Sequence, residues 1–319
     1  MPHPGYQRTS STNLSSGSLS YRPHDGKFGI VTGGSRGIGA AIAENLAAKG
    51  CSLLLVYTSD TSTEPTEALC KSLAEQHSVR CTAVQADLSG LSRSVAHIVS
   101  TARNNFSHPK TGRFQIDILI NNAGIAGEKM LNDKEKGPIE EEQFHKMYDV
   151  NVLAPLLLTQ ACEPYLPSDR SGRIVNISSV SSAIGYPGQS IYAGTKAALE
   201  AMTRSWSREL AERCTVNCVN PGPVWGDMYE NAGPKFWAGN QPFVDAAPLT
   251  AYHGERQVKA EAGEGQEEKF DKTVKEGMGG RRPAFPREIA GVVGMLCSEE
   301  SGWTTGSVIS GNGGMVMST

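Results

Sequence analysis

The strongest constraint on this chain is a rhythm. From Phe28 onward, short apolar runs alternate with longer stretches of helical period. Phe28–Thr32, Ser52–Tyr57, Arg80–Gln85, Ile116–Ile120, Ile174–Ser179, Thr215–Val219 and Ser307–Ser310 read as strands. Between them, Ala40–Lys49, Glu64–Gln76, Ser92–Asn105, Glu141–Cys162, a segment starting near Tyr192, and Arg287–Cys297 read as helices. A strand apolar on both faces must be covered on both faces, and parallel neighbours need crossover helices. The rhythm therefore predicts an α/β fold: one domain with a doubly wound parallel sheet of about seven strands and helices on both sides.

Composition narrows the function by exclusion. The 319 residues carry a formal charge of -3, which gives no electrostatic footprint for nucleic acid. No apolar run is long enough to span a bilayer or to serve as a signal peptide core. The seven cysteines are scattered, and Cys214 and Cys218 share a strand face without metal-site spacing. They read as reduced, structural thiols rather than disulfide partners or metal ligands, so a cytoplasmic location is expected. Residues 1–25 are rich in Ser, Thr, Pro and Gly and are expected to be a disordered tail, a Ser-rich transit peptide being the alternative. The ordered domain is then 26–319.

A glycine-rich turn follows the first strand, with Gly33, Gly37 and Gly39 spaced G-x-x-x-G-x-G. Side chains at such positions would keep a pyrophosphate from the backbone and from the helix N-terminus. A glycine turn alone can be only a tight strand-to-helix connection; at the head of a βαβ array it points to a dinucleotide. The second strand ends Tyr57-Thr58-Ser59, and its first acid, Asp60, comes late for holding both ribose hydroxyls. Arg36, inside the glycine turn, could pair with a 2′-phosphate. The expected cofactor is NADP(H), although Arg36 also reads as a plain solvated charge.

Chemistry points to a second stretch. Ser178 and Ser179 stand where the fifth strand ends, and Tyr192 and Lys196 follow four residues apart. On a helix this spacing puts phenol and ammonium on one face. An ammonium nearby should lower the pKa of the phenol from its ordinary value near ~10. Taken singly, such a pair is an ordinary surface pair, and Asn151 could simply cap or kink its helix.

Thr32 to Gly39, Asp87, Asn121-Asn122-Ala123-Gly124, Asn151, Ser179, Tyr192-x-x-x-Lys196 and Pro221-Gly222 occur in that order along the chain. Together they resemble the short-chain dehydrogenase/reductase superfamily, over roughly residues 27–317. Within it the chain is most similar to NADPH-dependent ketoreductases, of the 3-oxoacyl-carrier-protein reductase and fungal polyketide naphthol reductase kind. The resemblance implies a Rossmann-type fold and a catalytic tetrad of Asn151, Ser179, Tyr192 and Lys196. Tyr192 would act as acid in reduction and base in oxidation, and Lys196 would also hold the nicotinamide ribose. Ser179 would bind the substrate oxygen, and Asn151 would hold a relay water. It further implies cofactor contacts from Gly33, Ser35, Arg36, Gly37, Ile38, Gly39, Tyr57, Thr58, Ser59, Asp87, Leu88, Asn122, Ala123, Gly124, Pro221, Gly222 and Val224. The family usually has a threonine where this chain has Gly226, so one cofactor contact departs from the pattern.

The long segment 223–285 leaves the sixth strand and is expected to be an irregular substrate lid. Its aromatics Trp225, Tyr229, Phe236 and Trp237, with Met228, Tyr186 and Pro187, either line a pocket or pack the lid down. Its charged part, 255–282, reads as a solvated, mobile insertion. The expected activity is reduction of a ketone, or oxidation of the secondary alcohol, on a polyketide or other secondary metabolite. A sugar/polyol or 3-oxoacyl reductase is the alternative. From a different class comes a non-redox scaffold or cyclisation catalyst on the same fold. The helices over 141–162 and after Tyr192 resemble those that assemble family dimers and tetramers, so a homodimer or homotetramer is expected.

Overall fold

Seven strands carry the architecture: β1 (Phe28–Thr32), β2 (Ser52–Tyr57), β3 (Cys81–Gln85), β4 (Ile118–Asn121), β5 (Gly172–Ile177), β6 (Cys214–Pro221) and β7 (Val308–Gly311). In the computed structural model, which describes residues 22–317, they form one parallel sheet ordered β3-β2-β1-β4-β5-β6-β7. Order reverses between β1 and β4, so their carboxyl ends diverge and leave a crevice there. A separate two-stranded hairpin pairs Asn132–Asp133 with Gly137–Pro138.

Helices cover both faces. On one side α1 (Gly37–Ala48), α2 (Thr63–His77) and a C-terminal helix, Pro286–Leu296, pack Ile42, Leu46, Leu73, Ile289 and Val293 against the sheet. On the other, α3 (Ser92–Phe106), the helix ending at Cys162 and the helix after Ser190 contribute Ile98, Phe106, Leu158, Leu199 and Trp206. Among the described residues no helix is long and apolar enough to cross a membrane. All seven cysteines are free.

Three expectations change. Residues 1–21 of the expected tail lie outside the described residues, but 22–25 are packed. His24 is buried and its amide donates to the Lys49 carbonyl, while Arg22 donates to the His77 carbonyl. The helix over 141–162 is interrupted: α4 (Glu141–Tyr148) and α5 (Ala154–Cys162) are joined by a π-helical turn at Asp149–Leu153. The extra residue in that turn rotates Asn151 into the protein.

The third change concerns 223–285. It is neither irregular nor a solvated tract. It follows β6, which α6 (Ser190–Glu209) precedes, and ends at α8 (Pro286–Leu296); α7 (Gly233–Asp245) is its longest helix, with shorter ones at Asp227–Glu230, Arg256–Ala260 and Glu267–Lys272. Phe270, Val274 and Met278, four apart, face inward onto Trp225, Tyr252 and Phe285 as a small core of their own. The Trp225 and Phe270 rings meet edge-on at 4.9 Å. The segment's ends meet: Val224 bridges Ala284, whose amide donates to Pro223 and whose carbonyl accepts from Trp225. Arg282 closes the base with two 2.9 Å bonds to Glu288. Charge on the outward side hid this apolar stripe.

Phe270 is fully buried, so Phe270→Ala should cost about 3–5 kcal/mol of the insertion's local stability. Limited proteolysis should then cut within 223–285 at protease levels that leave the wild type intact.

Candidate active site

Every loop at the carboxyl edge of the sheet contributes to one region. The glycine turn after β1 is shaped by its neighbours. A Cβ at Gly39 would run into the Gly33 carbonyl oxygen and the Asn122 amide, so the turn and the helix can approach only through glycine. Gly37 sits at φ +55 with open space where a Cβ would be, leaving a bare surface beside the start of α1. This is a cradle of the kind a pyrophosphate fills.

Thr32 ties this turn to β4. Its hydroxyl accepts from the Asn122 and Ala123 amides at 3.0 Å each, and the Asn122 amide side chain donates to the Thr32 carbonyl at 2.8 Å. Asn121 turns away from the crevice. It donates to Asn176 at 2.8 Å and to Thr159 at 3.2 Å, and Asn176 donates to Thr203. That ladder pairs the Asn121 and Asn176 amide nitrogens beneath the sheet, while Asn121 Oδ1 stays buried without a partner. Only 122–124 of the expected floor therefore face the crevice.

Arg36 and Thr58 are exposed at the mouth. Asp60 is occupied by Gln85 Nε2 at 2.6 Å. Arg36 lies 3.6 Å from Asp227 of the insertion, a pair in which both side chains remain largely solvated. Tyr57 and Leu88 are buried in the core, and a cofactor could meet them only through backbone atoms. Asp87 caps the turn that follows it, accepting from the Ser89 amide. Gly222 lies against Asn312, and Val224 belongs to the neck of the insertion. Gly226 has φ +145 and ψ 175, backbone that only glycine takes readily, which explains why a threonine is missing there.

Asn151, Ser179, Tyr192 and Lys196 converge. A Cβ on Gly124 would lie 3.2 Å from Asn151 Oδ1 and 3.3 Å from Lys196 Nζ. Asn151 is fully engaged: it accepts from the Ile125 amide at 2.8 Å and donates to the Ile125 carbonyl at 2.8 Å and to Thr195 at 3.1 Å. Lys196 is buried and donates to the Ile177 carbonyl at 2.8 Å, with its Nζ 5.7 Å from the Tyr192 ring centre. Ser179 Oγ accepts from the Ser181 amide at 3.2 Å.

Electrostatics corrects one expectation. The Tyr192 phenol is raised above its ordinary value by burial, and only the Ser179 hydroxyl opposes this; Lys196 does not set its direction. Lys196 itself is pushed down to about 8 by burial, against the opposing pull of Cys218 and Glu200. Burial shifts both groups toward their neutral forms, although a lysine at about 8 still holds its proton at neutral pH.

Glu200 and Gln189 escaped the sequence, whereas Tyr186 was already singled out there with Pro187. Glu200 lies one helical turn beyond Lys196 and accepts from Ser178; the spacing 192, 196, 200 was the available signal. Tyr186 is buried, and its phenol is raised by burial and by the neighbouring Glu128. Gln189 Oε1 is buried without a partner. The aromatics divide. Trp225 and Trp237 pack the insertion, Trp237 donating to the Tyr229 carbonyl, while Tyr186 meets Phe236 at 5.4 Å. No cluster suited to a metal ion occurs among the described residues.

The family described as short chain dehydrogenase matches residues 27–236. An L-xylo-3-hexulose reductase of Hypocrea jecorina is 61% identical over 93% of this chain and 99% of its own length. An L-xylulose reductase of Aspergillus niger is 57% identical over 92% of this chain and 98% of its own. A blue fluorescent protein from a metagenomic library, solved in complex with NADPH, superposes with a TM-score of 0.72 at 30% identity, covering 92% of this chain and 99% of that one.

An unfolded lysine holds its proton to about 10.4. In the folded, cofactor-free protein Lys196 holds it only to about 8. Between these values the unfolded chain carries the extra proton, so this lysine's destabilising effect is complete below pH 8 and fades as pH rises to about 10.4. Lys196→Met should therefore raise the melting temperature most below pH 8, with the gain over wild type shrinking across that window. A gain that is flat with pH would contradict the depressed lysine.

Proposed function

The chain belongs to the short-chain dehydrogenase/reductase family and is an oxidoreductase, and from that premise we propose that it is an NADP(H)-dependent reductase of a ketose. One observation carries the substrate class: two relatives named as reductases of L-xylo-3-hexulose and L-xylulose are 61% and 57% identical along almost the whole chain. The polyketide substrate expected from the subgroup resemblance gives way to the sugar alternative. Polar groups that precede Tyr192 in the chain support this. The Gln189 Oε1 acceptor lacks a partner, and the Tyr186 phenol stands next to Glu128. Such groups suit a hydroxylated chain, since a site that leaves buried polar atoms unpaired discriminates against ligands lacking hydroxyls.

The chain's own groups fit the cofactor. The Gly37 surface and the start of α1 would hold the pyrophosphate, and Arg36 and Thr58 the 2′-phosphate. Gly124 and Pro221–Gly222 would flank the nicotinamide. Asp60 comes late after β2 and accepts from Gln85 through one oxygen, which disfavours it as the ribose holder of an NAD site. NADPH, when bound, supplies the hydride.

The tetrad handles the proton. Burial keeps the Tyr192 phenol protonated, which is the form needed to donate to the oxygen of a reducing ketone. Ser179 Oγ hydrogen-bonds that oxygen and opposes its developing charge. Lys196 would place its ammonium beside the phenolate that remains and return a proton toward it. Asn151 holds Ile125, and so the Gly124 backbone, against the lysine. The insertion 223–285 serves as the substrate lid. An exposed Phe144 stacked on Tyr148 at 4.3 Å on α4 supports assembly as a homodimer or homotetramer through this helix.

The deciding experiment follows NADPH oxidation with L-xylulose, an aromatic ketone and a 3-oxoacyl thioester. kcat/KM for the ketose should exceed that for the aromatic ketone by about 100-fold or more; the reverse order would overturn the substrate class. Tyr192→Phe should lower turnover by about 10²–10⁴-fold while NADPH still binds. Arg36→Ala should reduce the preference for NADPH over NADH, and an unchanged ratio would remove its 2′-phosphate role.

A further inference from the structure

Beneath the tetrad lies a polar junction centred on Glu200, one turn of α6 beyond Lys196. A single carboxylate oxygen, Oε1, accepts from Ser178 Oγ at 2.6 Å, from Ser182 Oγ at 2.7 Å and from Asn220 Nδ2 at 3.2 Å. Each donor comes from a different part of the carboxyl edge. Ser178 follows β5 and immediately precedes Ser179. Ser182 lies in the short helix Ser181–Ile184, its hydroxyl 2.9 Å from the Ser179 carbonyl. Asn220 is near the end of β6, just before Pro221 and Gly222. One carboxylate thus fastens the ends of two strands to the helix that carries Tyr192 and Lys196.

The same carboxylate faces the buried ammonium. From α6, Lys196 is faced by Tyr192 and Glu200; from β6 by Cys218; from the loop after β4 and the π-helical turn by Gly124 and Asn151, which carry no charge. Burial pushes the Cys218 thiol up to about 12, so it stays neutral where the enzyme works. Glu200 is then the one negative charge in this set. Residues four apart on a helix are neighbours, and an opposite charge that close favours the protonated lysine.

We propose that Glu200 is a positioning residue with two tasks: it fixes the Ser179 strand end relative to Tyr192, and it keeps Lys196 in its ammonium form at working pH. This rests on the proton-handling roles given above to Ser179, Tyr192 and Lys196.

Glu200→Gln retains size and an acceptor oxygen but removes the charge. In the reduction assay the high-pH limb of kcat/KM, where Lys196 loses its proton, should move down by about 1 pH unit. kcat should fall more than KM rises, with NADPH binding within about twofold of wild type. Glu200→Asp keeps the charge but shortens the reach, so kcat should drop across the pH range with the limb unmoved. Ser182→Ala, which removes one tie and no charge, should also leave the limb in place. A purely structural Glu200 predicts lower activity or stability with no limb shift in the Gln variant, and that result would overturn the charge task. Should the Gln variant not fold, a limb displaced in Glu200→Asp or in Ser182→Ala would overturn it instead. Failure of the tetrad itself is separable: normal turnover in Tyr192→Phe would remove the tetrad, whereas a crippled Tyr192→Phe with an unmoved Glu200→Gln limb removes only the role of Glu200.

Discussion

A parallel sheet sends every strand the same way, and the rest of this molecule follows from that. Six loops, after β1 through β6, must emerge on one edge, and the reversal of order between β1 and β4 opens a crevice among them. Groups far apart in sequence arrive there without any long-range design: the glycine turn at 33–39, the Asn122–Gly124 floor, Ser179, and the Pro221–Gly222 bend. The small polar residues near that edge keep the loops in register. Thr32 pins the first loop to the fourth, and the Asn121–Asn176–Thr203 ladder joins β4, β5 and α6 from below.

The chemistry depends on a balance that the crevice sets. Moving an ammonium and a phenol out of water disfavours the charged form of each. Here that effect prevails, so the resting site holds a protonated tyrosine and a lysine readily deprotonated. For the reduction proposed above this bias is useful, because a tyrosine acting as the acid would have to begin with its proton. It also leaves Lys196 in need of support, which gives a carboxylate at Glu200 its interest.

Much of this was legible in the sequence, because strands apolar on both faces, joined to helices through glycine turns, are compatible with few architectures. The seven-strand sheet and the glycine turn follow from local pattern, whereas Asn151, Ser179, Tyr192 and Lys196 were picked out together by the family resemblance. The rest depended on information that local pattern lacks. Whether Asn121 or Asn122 faces the crevice depends on where β4 ends. The π-helical turn at 149–153 carries no compositional mark. Charged residues over 255–282 concealed the Phe270–Val274–Met278 stripe, although its spacing of four was there to be counted. Substrate class was least legible, since the motifs that carry the family resemblance serve cofactor and proton handling and do not separate one ketone from another.

The neck of the insertion has a consequence for how this protein can change. Its two ends leave and return side by side, zipped between Val224 and Ala284 and locked by Arg282 on Glu288. Loop-closure entropy is therefore settled at the neck, and varies only slowly with the length of chain beyond it. The segment behaves as a cassette. Changes of length would be absorbed beyond the neck, apart from the ties Arg287–Glu261, Leu249–Gly313 and Tyr186–Phe236 that fasten it to the rest of the protein.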